Sequence, residues 1–254
     1  MLQVPSGLRV LVTAGAGGIG LAVAKAFAAA NARLFVCDLA PAALAGLPDS
    51  WGQQVCDVAD EAAVAALFQQ VEARLGGLDV LVNCAGIAGP TDPLESLTLA
   101  DWKACLAVTL DGTFLCSRAA IPLLRRAGGG LIVNFSSTAG LIGYPDRSPY
   151  ATAKWGIIGL TKTMAMELGE DAIRVNALCP GAVEGPRMDR VIAAEAKASG
   201  RSEAEVRRDY ASASSLRRFV TAEEMAGLIL YLTTPTGAAI NGQALPVDGH
   251  AERL

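Results

Sequence analysis

Tyr150 and Lys154 stand four residues apart, so on a helix their side chains share one face, one turn from each other. A free phenol titrates near ~10 and is a poor base at neutral pH. A lysine ammonium on the same face favours the phenolate, which can take the proton of an alcohol or return it during reduction of a ketone. Pairs with this spacing occur on many helices, so position separates a working pair from the rest. Ser137 lies thirteen residues before Tyr150, at the end of an apolar run that reads as a parallel strand. Ligands of doubly wound sheets bind beyond such strand ends.

Alcohol oxidation also needs an acceptor for the hydride. The run Thr13-Ala14-Gly15-Ala16-Gly17-Gly18-Ile19-Gly20 follows the first predicted strand and opens the first predicted helix. Glycines there let the backbone turn sharply and approach a pyrophosphate, while the helix start offers free N–H groups and the positive end of its dipole. Asp38 closes the second predicted strand, where a carboxylate accepts hydrogen bonds from the adenosine ribose hydroxyls and repels a 2′-phosphate. Gly17 and Leu39 supply no basic side chain to clamp such a phosphate, so the expected cofactor is NAD rather than NADP. Its oxidised nicotinamide is positively charged and would add to the effect of Lys154 on the phenol. Two plainer readings stand beside these: a simple tight turn, and Asp38 as a cap on the segment that follows it.

These positions need parallel strands with their ends aligned. Apolar, β-rich runs at 9–13, 33–38, 52–57, 80–83, 130–136, 173–178 and 243–247 alternate with helical stretches at 18–30, 60–75, 98–126, 149–169 and 221–233. Strand–helix–strand alternation implies an α/β architecture. The expectation is one doubly wound domain over 1–254, with a central parallel sheet of about seven strands and helices on both faces. Strands covered on both sides should be apolar throughout, as RVLVT, DVLVN and LIVNF are. One composition shift interrupts the rhythm. Residues 184–216 are rich in charge, Gly and Ser, with helix-forming composition at 189–198 and 203–210, so a small helical lid is expected there.

Composition narrows the function classes. Of 254 residues 52% are hydrophobic, enough for a large core, and the net charge of −4 lacks the basic excess of a nucleic-acid binder. The start MLQVPSGLRVLVTAG has no charged segment followed by an apolar one, and no unbroken apolar run is long enough for a span. Neither secretion nor a membrane partner is therefore expected. The six cysteines (Cys37, Cys56, Cys84, Cys105, Cys116, Cys179) form no CxxC pair, and His250 is the one histidine. No metal site is expected, and the cysteines read as reduced, buried residues of a cytoplasmic protein.

With the glycine turn, Asp38 and Tyr150-Ala151-Thr152-Ala153-Lys154 in view, the sequence resembles the short-chain dehydrogenase/reductase family, in its members of about this length. The resemblance runs from the first strand to Asp248-Gly249. It includes Asp57-Val58, similar to the family's adenine-contacting pair, and Asn83-Cys84-Ala85-Gly86, similar to its Asn-Asn-Ala-Gly turn. Phe135-Ser136-Ser137 after the fifth strand and Pro180-Gly181 after the sixth also match. The resemblance implies a Rossmann-type fold and an NAD-dependent oxidoreductase that interconverts a secondary alcohol and a ketone. It implies cofactor contacts from Gly15, Gly18, Ile19, Gly20, Asp38, Leu39, Asp57, Val58, Asn83, Ala85, Gly86, Tyr150, Lys154, Pro180, Gly181 and Val183. Catalysis would rest on Ser137 bonding the substrate oxygen, Tyr150 as general acid and base, Lys154 also holding the nicotinamide ribose, and Thr109. A homotetramer assembled through 98–126 and 149–169 is implied in the same way.

Three positions depart from the family pattern. Ala14 replaces the usual first glycine of the turn, with Gly15 beside it, so the turn is expected to survive with a shifted backbone. Gly185 replaces a common threonine that touches the nicotinamide amide. Thr109 stands where the family carries a helix asparagine that anchors a water in a proton relay behind the lysine. Its hydroxyl and backbone carbonyl still allow a relay. Thr109 is also the one support for a rival reading, an NAD-binding protein with weak or no turnover that serves as a sensor or assembly partner. A nucleotide-sugar epimerase on the same fold is a third reading, disfavoured because such enzymes are usually longer. The substrate pocket is expected from 140–149 and the lid. Arg147, Arg187 and Arg190 could bind a carboxylate, phosphate or sulfonate there, although lid arginines are usually solvated. His250 is expected to be a structural or interface residue.

Overall fold

The structure, a computed structural model, describes residues 4–251. Residues 1–3 and 252–254, which the expected domain over 1–254 and the reading of the chain's start include, lie outside the described residues. The seven apolar runs become β1 (Arg9–Thr13), β2 (Arg33–Asp38), β3 (Gly52–Val55), β4 (Val80–Asn83), β5 (Gly130–Phe135), β6 (Ile173–Pro180) and β7 (Ala244–Val247). All pair in parallel, in the order β3-β2-β1-β4-β5-β6-β7. Between them lie α1 (Gly18–Ala29), α2 (Pro41–Leu44), α3 (Glu61–Leu75), α4 (Leu99–Leu106), α5 (Gly112–Arg126), α6 (Ser148–Glu167), α7 (Pro186–Ser199), α8 (Glu203–Ser212) and α9 (Ala222–Thr233).

Successive side chains of a strand point to opposite faces, and the register carries that alternation across the sheet. Val12, Val82 and Val133 are paired neighbours on one face, packed with Val23 and Phe27 of α1 and Met225 and Ile229 of α9. Leu11, Leu81 and Ile132 occupy the other face, against Leu67 and Val71 of α3, Leu124 of α5 and Met164 of α6. All four residues of β4 are buried, which is why that strand reads as unbroken apolar sequence up to Asn83. Burying each such Val or Leu contributes about 1.5–3 kcal/mol.

The strand order reverses between β1 and β4, with β2 and β3 on one side and β5 to β7 on the other. Loops leaving the carboxyl ends of β1 and β4 therefore diverge and open a crevice, the usual ligand position in this architecture. Four helix starts are closed by side chains. Asp60 caps α3, Thr98 caps α4, and Ser202 and Thr221 form capping boxes at α8 and α9. α1 starts at Gly17 with no side-chain cap, so its first N–H groups stay available.

Several expected bounds shift. The strand expected at 52–57 ends at Val55, because Asp57 Oδ1 accepts from the Ala59 N–H at 2.9 Å and starts the turn into α3. β6 runs on to Pro180, held by β7 through Cys179–Pro246 and Pro180–Val247 pairing. The helix expected over 149–169 spans Ser148–Glu167, and α2, led by Pro41 in its first turn, had no periodic signal. The helix expected over 98–126 runs continuously from Leu99 to Arg126, with a π-turn at Ala107–Asp111 between α4 and α5. By length and mean hydropathy the stretch Leu99–Arg126 could cross a membrane. Here it is a core helix: Cys105, Thr109, Cys116, Ala120 and Leu124 are all buried.

Candidate active site

At the carboxyl end of β5 the chain turns through Ser136 and Ser137. Ser137 Oγ accepts from the Ala139 N–H at 3.2 Å and so caps the following short turn. Ser136 is buried and donates its hydroxyl to the Lys154 carbonyl at 2.8 Å, pinning α6 to the strand end. Gly140 makes that approach possible. A Cβ at Gly140 would collide with Ser136 Oγ and lie 2.8 Å from the Lys154 carbonyl oxygen. The sequence places Ser136 in the matching Phe135-Ser136-Ser137 run and Gly140 at the edge of the expected pocket, but their task of seating α6 on the strand end shows only in the packing.

Tyr150 sits in the first turn of α6, behind Pro149, and Lys154 follows one turn later. Lys154 is 5% exposed. Its Nζ donates to the Phe135 carbonyl at 2.6 Å and lies 5.5 Å from the centre of the Tyr150 ring. Burial pushes the Tyr150 phenol up. The Lys154 ammonium, then Arg187, a hydrogen bond with Ser137 and Arg147 outweigh it, so the phenol titrates below its ordinary value. Lys154 titrates below the usual lysine value: burial lowers it, and the nearby Tyr150 only partly offsets that.

Thr109 is fully buried in the π-turn. Its Oγ1 accepts from the Ile87 N–H at 3.3 Å, and its carbonyl accepts from the Thr113 hydroxyl at 2.8 Å. Gly86 lies between Thr109 and Lys154, its Cβ position 3.5 Å from Thr109 Oγ1 and 3.6 Å from Lys154 Nζ. The structure thus brings Ser137, Tyr150, Lys154 and Thr109 together at one end of the sheet.

The glycine turn packs on the same crevice. Gly15 lies against Val36, and a Cβ at Gly20 would collide with the Ala14 carbonyl, so these two glycines serve close packing. A Cβ at Gly17 or Gly18 would meet nothing within 4 Å. That open cradle, next to the uncapped start of α1, fits a pyrophosphate. Ala14 keeps the turn by adopting φ +49°, a left-handed conformation that costs an alanine about 1–2 kcal/mol. Asp38 accepts from the N–H of Ala16 and of Ala40, both at 3.1 Å, so it caps its own segment and ties down the glycine turn at once. A carboxylate has further lone pairs for ribose hydroxyls.

The remaining expected cofactor residues border this crevice or support it. Leu39 is 58% exposed beside Asp38, Asp57 is exposed, and Val58 is buried against Gly112 of α5. Ile19 packs on the core below α1, and Ala85 on the opposite face. Thr13 Oγ1 accepts from the N–H of Cys84 at 3.0 Å and of Ala85 at 3.1 Å, joining the ends of β1 and β4. The Asn83 side chain is buried and donates to Ser117 and Asn134, both at 2.9 Å, so it braces β4 against α5 and β5. Pro180 ends β6, Gly181 packs on Asp248, and Val183 pairs with Val220. Gly185 begins α7 at φ +137°, a conformation open to glycine and closed to the family's threonine. His250 is exposed at φ +66°, its N–H bonded to Asp248 Oδ1 at 2.8 Å.

Next to this machinery opens a cavity of about 1060 Å³, lined by Gly86, Tyr144, Arg147, Arg187 and Tyr210 among others. Tyr144 comes from the segment before α6 and Tyr210 from α8, with their hydroxyls 3.3 Å apart. The Tyr210 hydroxyl donates to Glu195 of α7 at 2.8 Å. The expected polar insertion is therefore a helix pair against the cavity.

Comparison with known proteins agrees with this geometry. A family model described as enoyl-(acyl carrier protein) reductase matches residues 14–250. A D-beta-hydroxybutyrate dehydrogenase of Rhizobium meliloti (strain 1021) is 33% identical over 249 residues, 94% of this chain and 96% of that protein. The crystal structure of an NAD+-bound xylitol dehydrogenase superposes with a TM-score of 0.91 at 29% identity, covering 95% of this chain and 98% of the other. An actinorhodin polyketide ketoreductase with NADPH gives a TM-score of 0.90 at 32% identity, covering 98% of both chains. The chain thus belongs to the short-chain dehydrogenase/reductase family, as an oxidoreductase that acts on alcohol and ketone groups with a nicotinamide cofactor.

Proposed function

We propose that the chain interconverts a secondary alcohol and its ketone with NAD(H), through Ser137, Tyr150 and Lys154. The observation that supports this most is the placement of the half-buried Tyr150, with Lys154 Nζ 5.5 Å from its ring centre, a charge that holds the phenol below its ordinary pKa. In oxidation the Tyr150 phenolate takes the hydroxyl proton, and in reduction the phenol returns it. Ser137, whose hydroxyl helps lower the Tyr150 phenol, orients the substrate oxygen toward the Tyr150 hydroxyl. Lys154 keeps the phenol acidic through space, and its Nζ is the group in reach of a nicotinamide ribose. A bound nicotinamide supplies the hydride acceptor or donor. The cradle at Gly17 and Gly18, the free N–H groups of α1, Asp38, Leu39, Asp57, Val58, the backbone of 83–86, Pro180, Gly181 and Val183 would hold the rest of the dinucleotide. Thr109 takes the place of the family asparagine, with its hydroxyl and backbone carbonyl as the groups a relay would use.

Asp38 favours NAD over NADP, since its carboxylate lies where a 2′-phosphate would come. With saturating alcohol, kcat/KM for NAD is expected to exceed that for NADP by more than about a hundredfold, and Asp38→Ser should shrink that ratio. A wild-type preference for NADP would refute the assignment. The helices α7 and α8 act as a lid over the cavity within one domain. Phe114 of α5 and Trp155 and Met166 of α6 are 42%, 52% and 85% exposed, which supports assembly of a homotetramer through those helices. Six free cysteines support residence in the cytoplasm.

A further inference from the structure

One guanidinium at the cavity is buried without a complete set of partners. Arg147 is 5% exposed. Its Nη2 donates to the Ala88 carbonyl at 2.9 Å, while its buried Nε meets no acceptor. Two rings flank it, with Cζ 5.2 Å from the centre of Tyr144 and 5.1 Å from that of Tyr150. Burying a charged donor unpaired is costly, and such a group calls for an explanation, a missing ligand among them. Four acidic side chains line the cavity; Asp146, beside Arg147 in sequence, forms no salt bridge with it, and the other three are engaged elsewhere. Glu195 accepts from Tyr210, Asp209 pairs with Arg201, and Asp248 accepts the His250 N–H. Among the described residues no carboxylate forms a salt bridge with Arg147, nor with the exposed Arg187 and Arg190 of the same cavity wall.

We infer that the substrate carries a carboxylate, held by the Nε–H edge of Arg147 while its carbinol carbon faces Tyr150. This rests on Tyr150 as the acid and base. A planar, singly charged acceptor with two oxygens matches one guanidinium, whose Nε–H and a neighbouring N–H point the same way. A phosphate dianion would ask for more donors than one buried arginine brings. Because Arg147 stacks on the Tyr150 ring, the carboxylate and the reacting carbon are only a few bonds apart. The substrate class is a short hydroxy acid and the product its keto acid. A merely electrostatic Arg147, present to keep the phenol acidic, would affect acids and neutral alcohols alike, so the two roles separate by substrate.

The test is a panel of 2-, 3- and 4-hydroxypentanoate, each with its methyl ester, assayed by NADH formation with the wild type, Arg147→Gln and Arg147→Lys. For the preferred isomer the acid is expected to exceed its ester in kcat/KM by about a hundredfold. In Arg147→Gln that ratio should fall to near one, with Arg147→Lys between. Equal use of acid and ester by the wild type, which needs no variant to fold, overturns the inference. So does a ratio that survives Arg147→Gln, or a hydroxyalkanesulfonate or hydroxyalkyl phosphate used tenfold better than the matching acid. If no alcohol is turned over at all, the proposed function fails separately, and titration of the protein–NADH complex with butanoate against butyramide decides the anion site. Saturable butanoate binding that Arg147→Gln abolishes supports it, and its absence overturns it.

Discussion

Burial and charge pull the Tyr150 phenol in opposite directions, and Lys154 is the largest charge on the acidic side. Alcohol oxidation uses the phenolate, so its kcat/KM should rise with pH through the Tyr150 pKa and level off, with the midpoint below ~10. Ketone reduction uses the phenol and should fall across the same range. Lys154→Met removes the favourable charge and leaves burial, so the midpoint should move to higher pH in both directions of the reaction. An unmoved midpoint would show that Lys154 does not set the phenol's acidity. Thr109 leads to a second expectation at this scale. Its side chain fills a closed space between Ile87, Gly86 and Cys105, so the larger asparagine of the family would crowd it at a cost of about 1–3 kcal/mol of stability. Thr109→Asn should therefore not raise kcat, and a tenfold gain with a changed solvent isotope effect would show that the relay limits the natural enzyme. Tyr150, Lys154 and Ser137 were legible because their spacing puts the pair on one helix face and their position sets it behind a strand end marked by Ser137. The burial of Arg147 was not, since it sits among polar loop residues and only the Tyr144 and Tyr150 rings enclose it.

The site depends on how α6 meets the end of β5. Ser136 bonds the Lys154 carbonyl, Lys154 Nζ bonds the Phe135 carbonyl, and Gly140 leaves room for both. Gly140→Ala should push the start of α6 away and misplace Tyr150 and Lys154 together. The expected result is a fall in kcat of about a hundredfold, with NADH affinity changed much less because the glycine turn and Asp38 lie on other elements. A variant with wild-type kcat would mean that the turn does not position the helix. Strands were readable because both-sided burial makes β1, β4 and β5 continuously apolar. The π-turn at Ala107–Asp111 was not, because one inserted residue leaves the hydrophobic rhythm of 98–126 nearly intact. α2, a single helical turn led by Pro41, is too short to show a period.

At the scale of the whole molecule, the reversal of strand order between β1 and β4 places the glycine turn, Asp38 and the Ser137–Tyr150–Lys154 group around one crevice. Alternating strands and helices made that layout legible, since parallel strands with short crossovers leave few arrangements. The substrate was not legible, because α7 and α8 contribute side chains whose meaning depends on which of them turn inward. Exposed Arg187 and Arg190 look no different in sequence from buried Arg147. The central claim is that Tyr150 moves the proton, and Tyr150→Phe tests it most directly, because the ring, its packing and Lys154 are all retained. Turnover of the best alcohol of the panel should fall on the order of a thousandfold, with the NADH dissociation constant within about twofold of wild type. Turnover within tenfold of the wild type would contradict base chemistry at Tyr150.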